Sequence, residues 1–290
     1  MNLQDGEADL YATAATGSVT RLSPELLRIV APNPSPLTGP GTNTYVLGSR
    51  DSYLVIDPGP DDAVHIERIL AATNGRLAQI LCTHSHPDHS PGADTLRGLT
   101  QAPVFGRPPP QDDYQDESYA PDATLEDGDL CAVAGVAVRV LHTTGHASNH
   151  VCFLLEARGW LFTGDHLMNG STVVILPPDG SMRQYLESLR RLEQLPLAAL
   201  VPGHGAVMPD AVAEIRRVIA HRMLRESKLI DVLHAQGGSA TLDALLPAVY
   251  DDVPAALHRL ARHSLLAHVL KLVEEGRLEA QGEAWCWRDA

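Results

Sequence analysis

Apolar positions come in short runs broken by turn residues through the first two thirds of the chain, and recur at helical spacing in the last third. Thr42 to Gly48 and Ser52 to Asp57 read as two short strands around a Ser-Arg-Asp turn. Asp57-Pro58-Gly59-Pro60 ends the second one. Val64, Ile66, Ile69 and Leu70 give Asp61 to Asn74 an amphipathic helical pattern, with Gly75 suited to its C′ position. Leu77 to Cys82 then reads as a buried strand, Ser90 to Gly98 as a short helix and Ala102 to Gly106 as a strand. Residues 107–121, rich in Pro, Asp and Gln, predict a long surface loop of the kind that often faces substrate. Four strands follow, at Leu130 to Ala134, Val136 to Leu141, Val151 to Glu156 and Trp160 to Phe162. Ser181 to Leu195 looks helical and Ala198 to Val201 like another strand, so this part of the chain is a layered α/β domain.

The pattern changes near Pro209. Asp210 to Ala235 is one long helical stretch, broken by Gly237-Gly238-Ser239. Leu242 to Tyr250 and Pro254 to Glu275 are two more helical segments, and Arg277 to Ala280 and Ala284 to Trp287 flank a Gln-Gly-Glu turn. Three helices closed by a β-hairpin outline a winged helix. The expected organisation is a loosely ordered N-terminus over 1–20, an α/β domain over 21–209 and a small, mainly helical winged-helix-like domain over 210–290.

Composition narrows the function classes. With 44% hydrophobic and 20% charged residues among 290, the chain is globular in character. No run of about 18 apolar residues occurs, so no membrane-spanning helix and no membrane partner are expected. The N-terminus lacks the basic and apolar regions of a secretory signal, and the four cysteines form no C-x-x-C pair. Reduced core thiols in a cytoplasmic protein are the expectation. The net charge is −14. Residues 1–209 hold 24 acids and 12 bases, net −12, and residues 210–290 hold 12 and 10, net −2. That balance disfavours generic nucleic-acid binding and stable DNA binding by the tail. Arg216, Arg217, Arg222 and Arg225 interleave with Glu214, Glu226 and Asp231, which reads as an ion-paired face.

The candidate chemistry lies in histidines at strand ends. Thr83-His84-Ser85-His86-Pro87-Asp88-His89 follows the strand Leu77 to Cys82 directly, so three imidazoles and a carboxylate share one loop. His146, Asp165 and His204, each preceded by Gly, follow three further strands. Strand ends on one edge of a sheet are neighbours, so seven ligands can converge from four loops. Imidazole with carboxylate suits zinc, and iron or manganese less exclusively.

HxHxDH, a later His, then GD and GH resemble the signature of the metallo-β-lactamase superfamily, over residues 57 to 204. The resemblance implies an αββα sandwich and two divalent metal ions. His84, His86 and His146 would hold the first ion, Asp88, His89 and His204 the second, and Asp165 would bridge them. Asp57 is similar to the superfamily's additional structural aspartate. Two ions lower the pKa of a bridging water, and the resulting hydroxide is the implied nucleophile of a metal-dependent hydrolase. Asp88 would orient it and accept its proton.

Gly41-Thr42-Asn43-Thr44-Tyr45 and the winged-helix-like tail together resemble the lactamase-β-2-like group, across roughly residues 20 to 288. That group includes single-strand-preferring endoribonucleases in animals, and related fungal proteins act as thioesterases. The resemblance therefore leaves the substrate open between single-stranded RNA and a small anionic or carbonyl-bearing thioester or lactone, as in glyoxalase II-like enzymes. The acidic charge favours the second. A winged-helix DNA-binding regulator is the competing reading from another class, and seven intact ligands argue against it. Asn43, His166, Ser171 and Thr172 are expected near the cleft, as substrate contacts or as support for the metal loops. His142 and His150 are expected behind the ligands or at the surface, and His258, His263 and His268 as ordinary helix residues.

Overall fold

The computed structural model describes residues 11–288. The first ten residues of the N-terminal stretch expected to be loose lie outside the described residues. The end of that stretch is ordered: Gly17 N donates to Val30 O at 2.9 Å, and the first strand begins at Val19.

The chain divides into two compact units. Among the described residues, unit 1 comprises 11–142, 149–171 and 196–211, and unit 2 comprises 143–148, 172–195 and 212–288. Unit 1 is built on two sheets. The larger runs in order through β1 (Val19–Ser23), β2 (Leu26–Val30), β3 (Asn43–Ser49), β4 (Ser52–Ile56), β5 (Leu77–Leu81), β6 (Val104–Gly106) and β7 (Ala123–Thr124). β1 to β4 are antiparallel and β4 to β7 parallel. Helices α1 (Ala63–Thr73) and α2 (Gly92–Thr100) form the crossovers that parallel pairing requires. The second sheet has the order β12 (Ala199–Pro202), β11 (Trp160–Gly164), β10 (Val151–Leu155), β9 (Val136–His142), β8 (Leu130–Val133).

Strand periodicity explains the two cores. Alternate residues point to opposite faces. Leu26, Tyr45, Leu47, Leu54, Ile56 and Leu81 from the first sheet cluster with Val138, Val140, Val151, Phe153 and Phe162 from the second. Their sequence neighbours Leu27, Ile29, Val46, Val55 and Ile80 pack with Ile66, Ile69, Ala93 and Leu96 of α1 and α2. Burial on both faces is why these strands read as continuous apolar runs. Asp62 caps α1 through His65 N at 2.9 Å, and Asn74 ends it in the left-handed region at φ 49°.

Unit 2 contains α3 (Met182–Glu193), α4 (Ala211–Ala235), α5 (Leu242–Val249), α6 (His258–Glu274) and a sheet in the order β13 (Ser239–Thr241), β15 (Ala284–Trp287), β14 (Leu278–Gln281). Leu229, Leu233, Leu245, Val249, Leu265, Val269, Leu272 and Leu278 form its core. α3 meets α6 through Arg183 Nε and Glu274 Oε2 at 2.6 Å. The apolar spacing predicts no element before residue 42 and none between Gly238 and Leu242. The hairpin β1–β2 and the three-residue β13 occupy those gaps. Among the described residues, no helix is long and apolar enough to cross a membrane.

Candidate metal centre

β4 ends at Ile56, and the chain turns at Asp57 with φ 50°, a left-handed conformation that non-glycine residues adopt at a cost. The turn sets the Asp57 carboxylate under the loop that follows β5. Its Oδ1 accepts from Thr83 N at 2.7 Å, and its Oδ2 accepts from Thr83 Oγ1 at 2.8 Å and from His89 Nδ1 at 3.0 Å. Asp57 is buried and therefore acts from behind the site. It fixes the His89 tautomer with the proton on Nδ1, so Nε2 faces the cluster.

The same logic orients His84. Thr83 Oγ1 has spent its proton on Asp57, so at 3.0 Å it accepts from His84 Nδ1. His84 Nε2 then faces His86 Nδ1 at 3.0 Å. Tautomer selection at His84 thus traces to Thr83, its neighbour in the chain, and at His89 to Asp57.

β11 delivers Asp165 through Gly164, whose φ is 46°. A Cβ there would lie 2.5 Å from Thr83 Oγ1. β12 delivers His204 through Gly203, where a Cβ would lie 2.8 Å from His89 Cε1 and 3.0 Å from Asp165 Oδ1. The glycines before these ligands are therefore required for close approach. His204 Nε2 lies 3.2 Å from Asp88 Oδ2 and 3.2 Å from Asp165 Oδ1. His89 Nε2 lies 3.6 Å and 3.2 Å from the same two oxygens. One donor atom from each of the four residues falls within 4.8 Å of all the others.

These separations test whether a metal fits. Ligands about 2.0–2.1 Å from a tetrahedral ion stand roughly 3.3 Å apart along each edge. The four observed distances match that edge. His89 Nε2 is also buried with no hydrogen-bond partner of its own, as a nitrogen aimed at an ion would be. The donor set therefore fits a divalent ion.

In the metal-free protein the cluster holds protons instead. Burial opposes a charged His204, but Asp165 and Asp88 prevail and raise its pKa to about 9. Burial likewise opposes a charged His89, and the carboxylates of Asp88, Asp165 and Asp57 carry its pKa well above the ordinary imidazole value. Asp165 and Asp88 are held below the ordinary carboxylate value against their burial: His204 and His89 do this at Asp165, and His89 and His204 at Asp88.

The remaining candidates separate. His146 belongs to unit 2, where its Nδ1 lies 2.9 Å from Val174 O, so Nε2 is the nitrogen that would meet an ion. His150 is buried with its ring 5.0 Å from that of His84 and 5.7 Å from that of His166, which is also buried. Ser171 is exposed and Thr172 half-buried. His142 Nε2 lies 2.8 Å from Arg107 Nη1. Asn43 is buried, and its carboxamide donates to Pro202 O and Gly205 O, both at 2.9 Å. Within the loop 107–121, the side chains of Gln115 and Asp116 face the back of the metal loop. Gln115 Oε1 accepts from Ser85 Oγ at 2.5 Å and Asp116 Oδ2 from Ser90 Oγ at 2.7 Å.

The family assignment agrees with this architecture. The metallo-beta-lactamase superfamily model matches residues 37–204, and that of the beta-lactamase associated winged helix domain matches residues 241–285. The chain is 31% identical over 290 residues to a beta-lactamase-like protein 2 homolog of Drosophila melanogaster, covering 92% of this chain and 94% of that protein. It is 29% identical over 277 residues to an atrochrysone carboxyl ACP thioesterase of Cryptosporiopsis, covering 90% and 84%. A metallo-beta-lactamase family protein of Thermus thermophilus superposes with a TM-score of 0.77 at 25% identity, over 92% of this chain and all of that one. The chain therefore belongs to the metallo-β-lactamase superfamily, with a β-lactamase-associated winged helix at its C-terminal end.

Proposed function

We propose that this protein is a binuclear metal-dependent hydrolase acting on a small anionic thioester or lactone. The group of buried His89, Asp165 and His204 with half-buried Asp88, its donor atoms at the spacing of a coordination shell, is the observation that carries the reading. His84, His86 and His146 are the proposed first ligand set, Asp88, His89 and His204 the second, and Asp165 the bridge. Zinc is the first choice, with iron or manganese as alternatives for the same nitrogen and oxygen donors. Two divalent ions bound here supply an activated water near neutral pH and a positive charge for a developing oxyanion.

The chain's own residues prepare that chemistry. Asp57 and Thr83 set the tautomers of His89 and His84, so both imidazoles present a bare nitrogen. Asp88, the more exposed of the two carboxylates in the group, is placed to orient the attacking water and take its proton. The net charge of −14 favours a small substrate over a polyanion, and a thioesterase stands among the relatives.

The test sets a panel of acyl thioesters and lactones against end-labelled single-stranded RNA, using metal-loaded protein, chelated protein and His86→Ala. Thioester or lactone turnover that disappears in both controls is expected. RNA cleavage with the same dependence would move the protein to the ribonuclease branch. Turnover that survives His86→Ala would overturn the binuclear reading.

A further inference from the structure

His204 rides on a segment held on one side by β11, where Gly203 N donates to Gly164 O at 2.9 Å, and its own Nδ1 lies 3.5 Å from Gly41 O. Gly203 and Gly205 flank it, and the space beside Gly203 is taken up by His89 and Asp165. Neither glycine has a side chain to anchor, and Gly205 adopts φ 83°. An unpinned Pro-Gly-His-Gly turn would let the imidazole swing, because glycine carries the largest backbone entropy.

The start of β3 anchors the other side. Asn43 N donates to Gly203 O at 2.7 Å, and Thr42 forms an antiparallel bridge with His204. Asn43 Nδ2 then donates to Pro202 O and to Gly205 O. These are the carbonyls two residues before and one residue after the ligand, so one carboxamide brackets His204 from both sides. Tyr45 Oη also donates to Pro202 O, at 2.7 Å, but has no counterpart on Gly205. Among side chains as short as this one, a primary amide alone offers two N–H donors on one atom: aspartate accepts only, and a hydroxyl has one proton. The group is buried, so water cannot replace it.

We propose that Asn43 is a positioning residue for the second metal site, holding His204 at ligating distance by bracketing its backbone. The proposal rests on the binuclear reading for its metal arm and on the metal-free protein for its second arm. Asn43→Ala removes both donors. Asn43→Asp keeps the shape and sets oxygen against oxygen. Tyr45→Phe removes the donor that serves only Pro202.

Hydrogen exchange is read by peptide in chelator-stripped protein, and cobalt uptake is titrated by its visible spectrum against a competing chelator. In Asn43→Ala the peptide 202–206 is expected to exchange about tenfold faster, as two lost hydrogen bonds imply, while β10 and β11 keep wild-type rates. The second cobalt equivalent should weaken about 10- to 100-fold with the first unchanged. Tyr45→Phe should move either readout less. If Asn43→Asp does not fold, Asn43→Ala alone decides. Wild-type exchange at 202–206, acceleration spread equally over β10 and β11, or equal weakening of both equivalents would each overturn the proposal. Wild-type protein that takes up fewer than two equivalents would instead count against the binuclear reading, and the exchange arm would still decide the role of Asn43.

Discussion

His65 shows how one buried side chain ties the helix α1 to the site. It is fully buried and lies 2.8 Å from Thr44 Oγ1, which in turn donates to Asp57 O at 2.7 Å. Thr44 has given its proton to Asp57, so His65 Nε2 is the donor. Burial pushes the His65 pKa down from 6.5 to about 4. A histidine kept neutral in the fold makes the unfolded chain bind more protons below pH 6.5. Its contribution is present in full above pH 6.5 and is lost as pH falls toward 4, by roughly 3 kcal/mol across that span. Urea titrations at pH 7 and pH 4.5 should show the loss, and the His65 ring proton should not shift in NMR spectra between pH 7 and 5. A ring titrating near 6.5 would show that burial does not control this residue.

At the scale of elements, α4 and α6 are joined by a buried ionic group. Glu226 on α4 accepts from Lys271 Nζ at 2.9 Å and lies 3.3 Å from His268 Nδ1, both on α6. All three side chains are buried. Arg222 and Arg225, beside Glu226 on α4, donate to Val173 O and to Asp252, and their guanidiniums lie over Tyr185 and Tyr250. The sequence suggested an ion-paired outer face for these arginines and ordinary helix positions for His268. The structure keeps Arg216 and Arg217 exposed and paired with Glu193 and Glu214, but buries Arg222, Arg225 and His268; aromatic rings, backbone carbonyls and Asp252 take up the two buried guanidinium charges. Lys271→Met should leave Glu226 without its ammonium partner and cost about 3–5 kcal/mol. The expected readout is an earlier urea midpoint in the fluorescence of Trp285 and Trp287, which pack on the unit 2 core. An unchanged midpoint would mean that His268 alone satisfies Glu226.

For the whole molecule, the proposed metals act as ligands of the folded state only. Ions at 100 to 1,000 times their dissociation constant add roughly 3–4 kcal/mol. For a chain of this length, stripping them should lower Tm on the order of 10 °C. Calorimetry before and after dialysis against chelator, then after adding back zinc, measures this directly. A Tm indifferent to chelation would place the cluster among purely structural ion pairs.

Apart from the three-residue β13 and two-residue β7, the strands and helices from residue 42 onward were legible in the sequence because both cores depend on period-2 and period-3.6 burial, which apolar spacing records directly. The candidate metal cluster was legible because metal chemistry restricts residue type, and the glycines before Asp165 and His204 mark close approach. β1 and β2 escaped that reading: β2 buries Arg28 in the middle of its run, and a charged residue there breaks the apolar signal. The Asp57–Thr83 network, the support of the metal loop by Gln115 and Asp116, and the bracketing of His204 by Asn43 were decided only by tertiary structure. Each joins residues 26 to 162 positions apart through hydrogen bonds, and a hydrogen bond leaves no periodicity in the chain. The sequence by itself determined which atoms can bind a metal; the packing of two sheets determined which of their nitrogens face one another.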